Sequence, residues 1–204
     1  MSTPTVRVDP VSPAPAMLAS AGAILRRGGL VAFPTESFYG LGADAGSAAA
    51  VARVFTVKGR PDAKPLLVLV DGIAMVERLA ADVPPRAREL MARHWPGPLT
   101  LILRAVPELP AALTAGTGTV GVRMPGHAVA LALVRAAGRP VTAPSANPSG
   151  APPPTTAEAV CRDLGPGVDL VVDAGPTAGG PASTIADCTV WPPRIVREGP
   201  VVLR

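Results

Sequence analysis

The stretch LVAFPTESFYGLGADAGSAAAVARVFTVKGR, residues 30–60, decides the fold of this chain. It opens with an apolar run, residues 30–33, whose length and branching predict a buried strand. Pro34 ends that strand because its ring fixes φ and removes a ladder donor. Residues 48–55 then follow a helical pattern, with Val51, Val54 and Phe55 at core spacing. A strand that leads into a helix is the building unit of an α/β protein.

The segment between this strand and this helix is polar and can bind a ligand. Four hydrogen-bonding side chains fall within five positions, Thr35, Glu36, Ser37 and Tyr39, and glycines at 40 and 42 close the predicted loop. The helix ends at Lys58-Gly59-Arg60-Pro61, where Gly59 is suited to a left-handed cap and Pro61 to a stop. A polar loop facing two cations is typical of a site for an anionic ligand.

Strands and helices alternate along the rest of the chain. Strands are predicted at 6–8, 66–70, 99–103, 119–123, 140–142, 168–173, 183–188 and 194–197. Helices are predicted at 17–27, 73–81, 85–94, 128–137 and 155–164, the last with a capping box formed by Thr155 and Glu158. The sequence therefore predicts an α/β fold, a single domain at 17–204 whose twisted mixed sheet is flanked by helices. Residues 1–16 are predicted to be a loose N-terminal lead-in.

The charge of the chain permits an anionic partner. The net charge is +4 and the isoelectric point is about 9.8, which suits a nucleotide or a nucleic acid. No run of five basic residues occurs, so a dedicated nucleic-acid arm is not predicted. Lys58 and Lys64 are the only lysines among 19 basic residues. A lysine inside the central motif therefore indicates a site that requires an ammonium group.

Cysteine and histidine usage argues against a protein metal site. Cys161 and Cys188 are far apart in the sequence, and His94 and His127 do not stand at ligand spacing from them. No signal peptide is recognisable and the apolar runs are shorter than a membrane span. The sequence predicts a cytoplasmic protein with no membrane partner.

Two further segments carry candidate ligand-binding side chains. The strand at 119–123 alternates, with Thr119 and Arg123 on one face, which predicts either a strand facing a cleft or an edge strand with a solvated face. The loop at 143–154 places Ser145 and Asn147 two residues apart, where they either face a phosphate or satisfy a turn of their own backbone. Because the predicted site also contains Lys58 and Arg60, we favour the interpretation that Ser145 and Asn147 face a phosphate.

Several blocks of the sequence resemble one known family. Residues 34–41 together with Lys58-x-Arg60-Pro61 are similar to the signature of the YrdC-like threonylcarbamoyl-AMP synthases, of the short, single-domain bacterial type. The similarity continues in order through HWPGPLT at 94–100, VGVRMPGH at 120–127, APSANPSG at 143–150 and ASTIAD at 182–187. It covers nearly the whole chain, and it implies a YrdC-like fold with a cationic cleft.

The resemblance also implies a reaction. L-Threonine, bicarbonate or CO2, and ATP would give L-threonylcarbamoyl-adenylate and pyrophosphate, which makes the protein a nucleotidyltransferase. The product would pass to the proteins that complete the t6A modification of tRNA, and Mg2+ would accompany the nucleotide with few protein ligands. Such a transfer requires two anions held in line and charge neutralised on the transferring group, without a covalent nucleophile.

The family's functional residues map onto this sequence as follows. Thr35 would contact threonine, Arg123 would bind its carboxylate in the bidentate manner suited to a guanidinium, and Ser183 would complete that pocket. The nucleotide would be bound by Lys58, Arg60, Thr119, Ser145, Asn147 and Arg197. Lys58 and Arg60 would also be the catalytic cations, and Glu36 would either orient one of them or have a purely structural role.

Some positions depart from the family pattern. Ala182 replaces the usual glutamate before Ser-Thr, Pro153 stands where a serine often touches the nucleotide, and Glu198 replaces the usual proline after Arg197. Leu69 also stands where many members have a histidine. Two other functions therefore stay open. One is an RNA-binding module, which would require exposed aromatic residues for base stacking. The other is a paralogue that makes a different carbamoyl-adenylate, and this possibility stays open because Ala182 replaces the usual glutamate.

Overall fold

Two β-sheets form the centre of the computed structural model, which describes residues 3–59 and 64–203. The first sheet has four strands in the order β1-β8-β2-β3. Its strands are β1 (Thr5–Arg7), β2 (Val31–Pro34), β3 (Tyr39–Gly42) and β8 (Leu170–Asp173). Strands β1, β8 and β2 are parallel, and β3 is antiparallel to β2. The buried apolar run predicted around residue 31 is thus an interior strand.

The second sheet has six strands in the order β10-β9-β5-β6-β4-β7. Its strands are β4 (Leu67–Leu69), β5 (Leu99–Arg104), β6 (Thr119–Arg123), β7 (Val141–Thr142), β9 (Thr184–Asp187) and β10 (Arg194–Arg197). The pairs β4–β6 and β5–β9 are parallel, and the other three pairs are antiparallel. Both sheets are therefore mixed, as the sequence predicts, although the strands divide between two sheets.

Seven α-helices flank the sheets in the part of the chain that the structure describes. They are α1 (Pro15–Arg26), α2 (Ala48–Lys58), α3 (Ile73–Val76), α4 (Pro85–His94), α5 (Ala111–Thr114), α6 (Ala128–Ala137) and α7 (Ala157–Leu164). Helix α2 begins at the side-chain cap of Ser47 and ends at Gly59, whose φ of 57° is left-handed, as predicted. Its buried face contains Val51, Val54 and Phe55.

The two sheets approach each other closely where β3 lies beside β7. Leu41 N donates to Pro144 O at 2.8 Å, and Ala146 N donates to Tyr39 O at the same distance. A Cβ on Gly42 would lie 2.9 Å from Val141 Cγ1 and 2.9 Å from Phe33 Cε1, so only a glycine fits between the sheets. The hairpin β2–β3 is thereby held at the β7 edge of the six-stranded sheet.

Three local predictions are wrong. Residues 39–42 form β3 rather than a loop, because their backbone pairs with β2, and Tyr39 is fully buried with its hydroxyl donating to Gly175 O at 2.7 Å. The helix predicted at 73–81 is a single turn, α3. The N-cap of α7 is Thr156, whose side chain accepts from Ala159 N, so the predicted cap is one residue early.

The N-terminal segment takes part in the fold. Strand β1 lies within residues 1–16, at the edge of the four-stranded sheet, and pairs with β8. Helix α1 begins at Pro15 and packs against α6. The division into a lead-in at 1–16 and a domain from residue 17 stays a prediction. Among the described residues, we find no helix long and apolar enough to cross a membrane.

Candidate active site

One face of the six-stranded sheet carries the candidate active site. Strand β6 lies between β5 and β4, so the edge-strand interpretation of residues 119–123 is wrong. Val120 and Val122 are buried on one face, and Thr119, Gly121 and Arg123 alternate onto the other. Because Thr119 and Gly121 are only half-buried, this second face opens into a cleft.

Register extends this face across the neighbouring strands. Ile102 of β5 pairs with Gly121, and Thr100, two residues earlier, pairs with Ile185 of β9. Ile185 in turn pairs with Arg197 of β10. Since paired residues share a face and the side-chain period is two, Thr100 and Arg197 lie on the same face as Arg123.

Ser183 joins these strands through its hydroxyl. Its Oγ lies 2.9 Å from Thr100 Oγ1, and Arg197 donates from Nη2 to Ser183 Oγ at 3.0 Å and from Nε to Ser183 O at 2.9 Å. Gly199 permits this packing, because a Cβ there would lie 2.5 Å from Ala182 O and 2.4 Å from Thr184 N. Thr100 was not among the residues predicted for the site, although it lies within the HWPGPLT block.

Arg123 is buried beneath the tip of the hairpin β2–β3. Its Nη2 donates to Glu36 Oε2, and Glu36 Oε1 accepts from Gly126 N at 2.7 Å. Arg123 Nε is buried and has no hydrogen-bond partner. The sequence predicts for Glu36 either an ion pair that orients Lys58 or Arg60 or a purely structural role, and in the described residues this carboxylate forms an ion pair with Arg123. A buried unpaired donor on a cleft face is a marker for a ligand that supplies an acceptor.

Electrostatics link the two guanidinium groups. Burial lowers the pKa of Arg123, and the charge of Glu36 opposes that shift. The pKa of Arg197 is lowered by burial and further by the positive charge of Arg123. A bound anion near both guanidinium groups would offset this repulsion.

The second part of the site is the loop after β7. Lys58 is 4% exposed, and its ammonium donates to Asn147 O at 2.6 Å and to Ser145 O. Its own carbonyl accepts from Ser149 N at 2.7 Å. The sequence predicts that the Lys58 ammonium serves the ligand site. In the structure Lys58 is buried and holds this loop on the end of α2.

Asn147 is oriented by the same loop. Its Nδ2 donates to Pro148 O at 2.9 Å and to Ala151 O at 2.6 Å, while its buried Oδ1 has no hydrogen-bond partner. Both amide hydrogens are thus used inside the loop, so Asn147 has only an acceptor to offer a ligand. Ser145 is half-buried and its backbone forms a bridge to Gly40 of β3.

The remaining predicted residues lie at the margins of the cleft. Thr35 is half-buried at the hairpin tip and donates from Oγ1 to Phe38 O at 2.7 Å. Thr119 stands at the other end of β6 from Arg123, about 13 Å away along the strand, and its hydroxyl lies 2.9 Å from Thr117 Oγ1. Arg60 lies outside the described residues.

A crossing loop, residues 174–183, passes from the four-stranded to the six-stranded sheet and contacts the hairpin tip. Ser37 O accepts from Thr177 Oγ1 at 2.7 Å and from Gly179 N at 2.9 Å, and Ser37 Oγ donates to Pro181 O at 3.1 Å. The hairpin tip is therefore held between this loop and β6. Within residues 3–59 and 64–203, no three His, Cys, Asp or Glu side chains form a cluster that could hold a metal ion.

Known proteins are similar to this chain over most of its length. A family model, Sua5_yciO_yrdC, described as "Telomere recombination", matches residues 23–199. Threonylcarbamoyl-AMP synthases from Pyrococcus abyssi and Bacillus subtilis are each 46% identical, over 88% and 94% of this chain. The chain spans 53% and 56% of those two relatives, little more than half of their length.

Solved structures give the same result. P. abyssi Sua5 complexed with L-threonine superposes with a TM-score of 0.91 at 42% identity, covering 96% of this chain and 57% of that one. Escherichia coli YciO superposes with a TM-score of 0.86 at 28% identity, covering 97% and 96% of the two chains. With the family model matching most of its length and relatives this similar, this chain belongs to the Sua5/YciO/YrdC family.

Proposed function

We propose that this protein is an L-threonylcarbamoyl-adenylate synthase, which forms threonylcarbamoyl-AMP and pyrophosphate from L-threonine, bicarbonate or CO2, and ATP. The observation that carries the proposal is the buried Arg123, whose Nε has no hydrogen-bond partner and whose charge acts on Arg197 of the same sheet face. Such a pair suits a carboxylate substrate next to a phosphate. The names of the two relatives and the threonine complex of P. abyssi Sua5 support the same substrates.

The residue roles follow from the chemistry of each group. Arg123, Ser183 and Thr35 bind threonine, with the guanidinium on its carboxylate. The nucleotide is bound by Lys58, Arg60, Thr119, Ser145, Asn147 and Arg197. Lys58 acts by holding the loop that carries Ser145 and Asn147, and the acceptor of Asn147 faces a donor of the nucleotide or a hydrated cation rather than a phosphate oxygen.

The reaction requires alignment more than covalent help. A carboxylate oxygen of the N-carboxylated threonine forms a bond to the α-phosphorus, and the bond to the bridging oxygen breaks, so that pyrophosphate leaves with the electron pair. Guanidinium groups stabilise the negative charge that develops on the transferring and leaving groups. Asn147, whose buried Oδ1 has no hydrogen-bond partner, would hold a hydrated Mg2+ beside the triphosphate, and the ion would supply positive charge to the phosphate groups.

The product would be consumed in the cytoplasm by the proteins that complete t6A on tRNA, with tRNA itself bound weakly. The RNA-binding alternative is not favoured by the aromatic residues. Trp191 is the one exposed aromatic side chain of the described residues, and Arg86 covers its ring at 4.8 Å. A base-stacking platform requires several such rings.

The test is release of pyrophosphate from ATP by the purified protein. We expect release only when L-threonine and bicarbonate are both present, and much less with L-serine or D-threonine. Equal release with each amino acid would favour a paralogue that makes a different carbamoyl-adenylate. Tight, salt-resistant binding to one RNA sequence, without pyrophosphate release, would favour the RNA-binding function instead.

A further inference from the structure

Glu36 connects the hairpin tip to the end of β6. Its Oε2 accepts from Arg123 Nη2, and its Oε1 accepts from Gly126 N at 2.7 Å. The Glu36 side chain is 27% exposed and that of Arg123 is 8% exposed. Both carboxylate oxygens are thus occupied by groups at the end of one strand. A guanidinium bonded to such an anchored carboxylate cannot turn without breaking the ion pair.

Only part of the Arg123 guanidinium is used by Glu36. The carboxylate takes Nη2, whereas Nε is buried and has no partner. A group that merely stabilises the fold would be expected to have its buried donors satisfied. The open Nε therefore marks the side of the guanidinium on which an external acceptor binds.

Charge around Arg123 is balanced by the same carboxylate. Arg197 is near enough that the charge of Arg123 lowers its pKa. Burial lowers the pKa of His127, and the negative charge of Glu36 opposes that shift. Arg123 forms its ion pair with Glu36, so removal of the Glu36 charge would leave the positive charges of Arg123 and Arg197 without this neutralising carboxylate.

We propose that Glu36 is a positioning residue for the amino-acid substrate: it fixes the Arg123 guanidinium so that Nε receives the substrate carboxylate. This inference rests on the proposed function. Glu36 does not touch the reacting atoms and acts through Arg123. The opposite role, a carboxylate that occupies the substrate's place on Arg123, would make Glu36 a competitor of threonine. The two roles predict effects of opposite sign.

The experiment is calorimetric titration of L-threonine into the wild-type protein and into Glu36→Gln. Glutamine keeps the shape and an acceptor but removes the charge that holds Arg123. We expect the Kd for L-threonine to rise about tenfold or more, since hydrogen bonds to charged groups are worth that much, while the Kd for ATP stays within about twofold. The matched control is Glu77→Gln, which removes the exposed ion pair of Glu77 with Arg88, 2.8 Å apart, and should leave both Kd values unchanged.

A double variant separates positioning from general stability. In an Arg123→Lys background, Glu36→Gln should weaken threonine binding much less than in the wild type, because both changes remove the same interaction. Unchanged or tighter threonine binding by Glu36→Gln overturns the inference, as does a parallel loss of ATP binding. A wild-type protein that binds L-threonine but releases no pyrophosphate would overturn the proposed function and leave the role of Glu36 standing. A wild-type protein that binds no L-threonine overturns both.

Discussion

At the scale of single residues, the cations of this cleft have different tasks. Arg123 and Arg197 present guanidinium groups to the cleft face, whereas the ammonium of Lys58 donates to the carbonyls of Ser145 and Asn147. A buried ammonium between two backbone carbonyls is part of the loop's architecture. Loss of the Lys58 ammonium would leave the two carbonyl oxygens without a donor. Unpaired buried acceptors lower the free energy of unfolding, and they do so even when no ligand is bound.

Replacement of Lys58 tests this structural task. We expect Lys58→Met to lower the free energy of unfolding by about 1–3 kcal/mol, and also to weaken ATP binding because the loop is no longer held on α2. The measurement is a chemical denaturation curve with a parallel ATP titration. Arg53→Met is the matched control, since Arg53 lies on the same helix in an exposed ion pair with Asp169, 3.0 Å apart, and such pairs contribute about 0–1 kcal/mol. A wild-type stability for Lys58→Met would remove Lys58 from this structural role.

At the scale of elements, strand β10 is held by the turn that connects it to β9. All four residues of β10 are exposed, so little apolar burial stabilises the strand. Polar contacts of Asp187, at the end of β9, hold the strand instead. Asp187 Oδ1 accepts from Thr189 N at 3.0 Å and from Thr189 Oγ1 at 2.6 Å, and Asp187 Oδ2 accepts from Arg194 Nη2 at 2.9 Å. Because β10 carries Arg197, this turn also positions the site.

The stability contributed by Asp187 should depend on pH. Burial by itself raises the pKa of Asp187, but the hydrogen bonds from Thr189 and the ion pair with Arg194 outweigh it, so the pKa lies below its usual value. A depressed folded-state pKa gives stability that is present above the unfolded pKa of about 3.9 and is lost as the pH falls through the folded value. We expect Asp187→Asn to be less stable than the wild type at pH 7 and the difference to shrink below about pH 4.

Denaturation curves from pH 7 to pH 2 would measure this difference. Asp163→Asn serves as the control, because it removes a carboxylate whose partner is its sequence neighbour Arg162, 2.8 Å away. An Asp187→Asn difference that is constant over the whole pH range would show that hydrogen-bond geometry, rather than charge, holds the turn.

At the scale of the whole molecule, the cleft exists because two mixed sheets meet at β3 and β7. The hairpin β2–β3 packs against the six-stranded sheet at Gly42. The tip of this hairpin lies over Arg123. The crossing loop at 174–183 holds the tip from the other side through Ser37. The distance between the sheets therefore sets the position of Glu36 over β6.

Gly42→Ala should disturb this packing. The new Cβ would lie 2.9 Å from both Val141 Cγ1 and Phe33 Cε1, so we expect overpacking to destabilise the protein by about 1–3 kcal/mol. Gly72→Ala is the control, because its φ of 167° is ordinary extended backbone and a Cβ there meets no atom within 4 Å. Denaturant midpoints of the two variants give the comparison. Equal midpoints would mean that the sheets can move apart at no cost.

The sequence alone determines much of the local secondary structure of this protein. Helix α2 with its cap at Gly59, the alternation along β6 and the strands around residues 31 and 101 could all be predicted, because periodicity, turn residues and caps act within a few positions. The blocks that resemble the Sua5/YciO/YrdC family could be recognised for the same reason. The division of the strands into two sheets and the strand β3 could not, since β3 exists only through backbone pairing with β2 and with the loop after β7.

Only the tertiary structure decided how the candidate site residues are used. The sequence named Arg123 and Lys58, but their partners lie 87 and 89 residues away along the chain, at Glu36 and Asn147. Whether a cation faces a cleft or a buried carbonyl depends on which distant backbone the fold brings beside it. Local sequence patterns cannot predict these contacts, because burial and pairing energies depend on how the two sheets pack together.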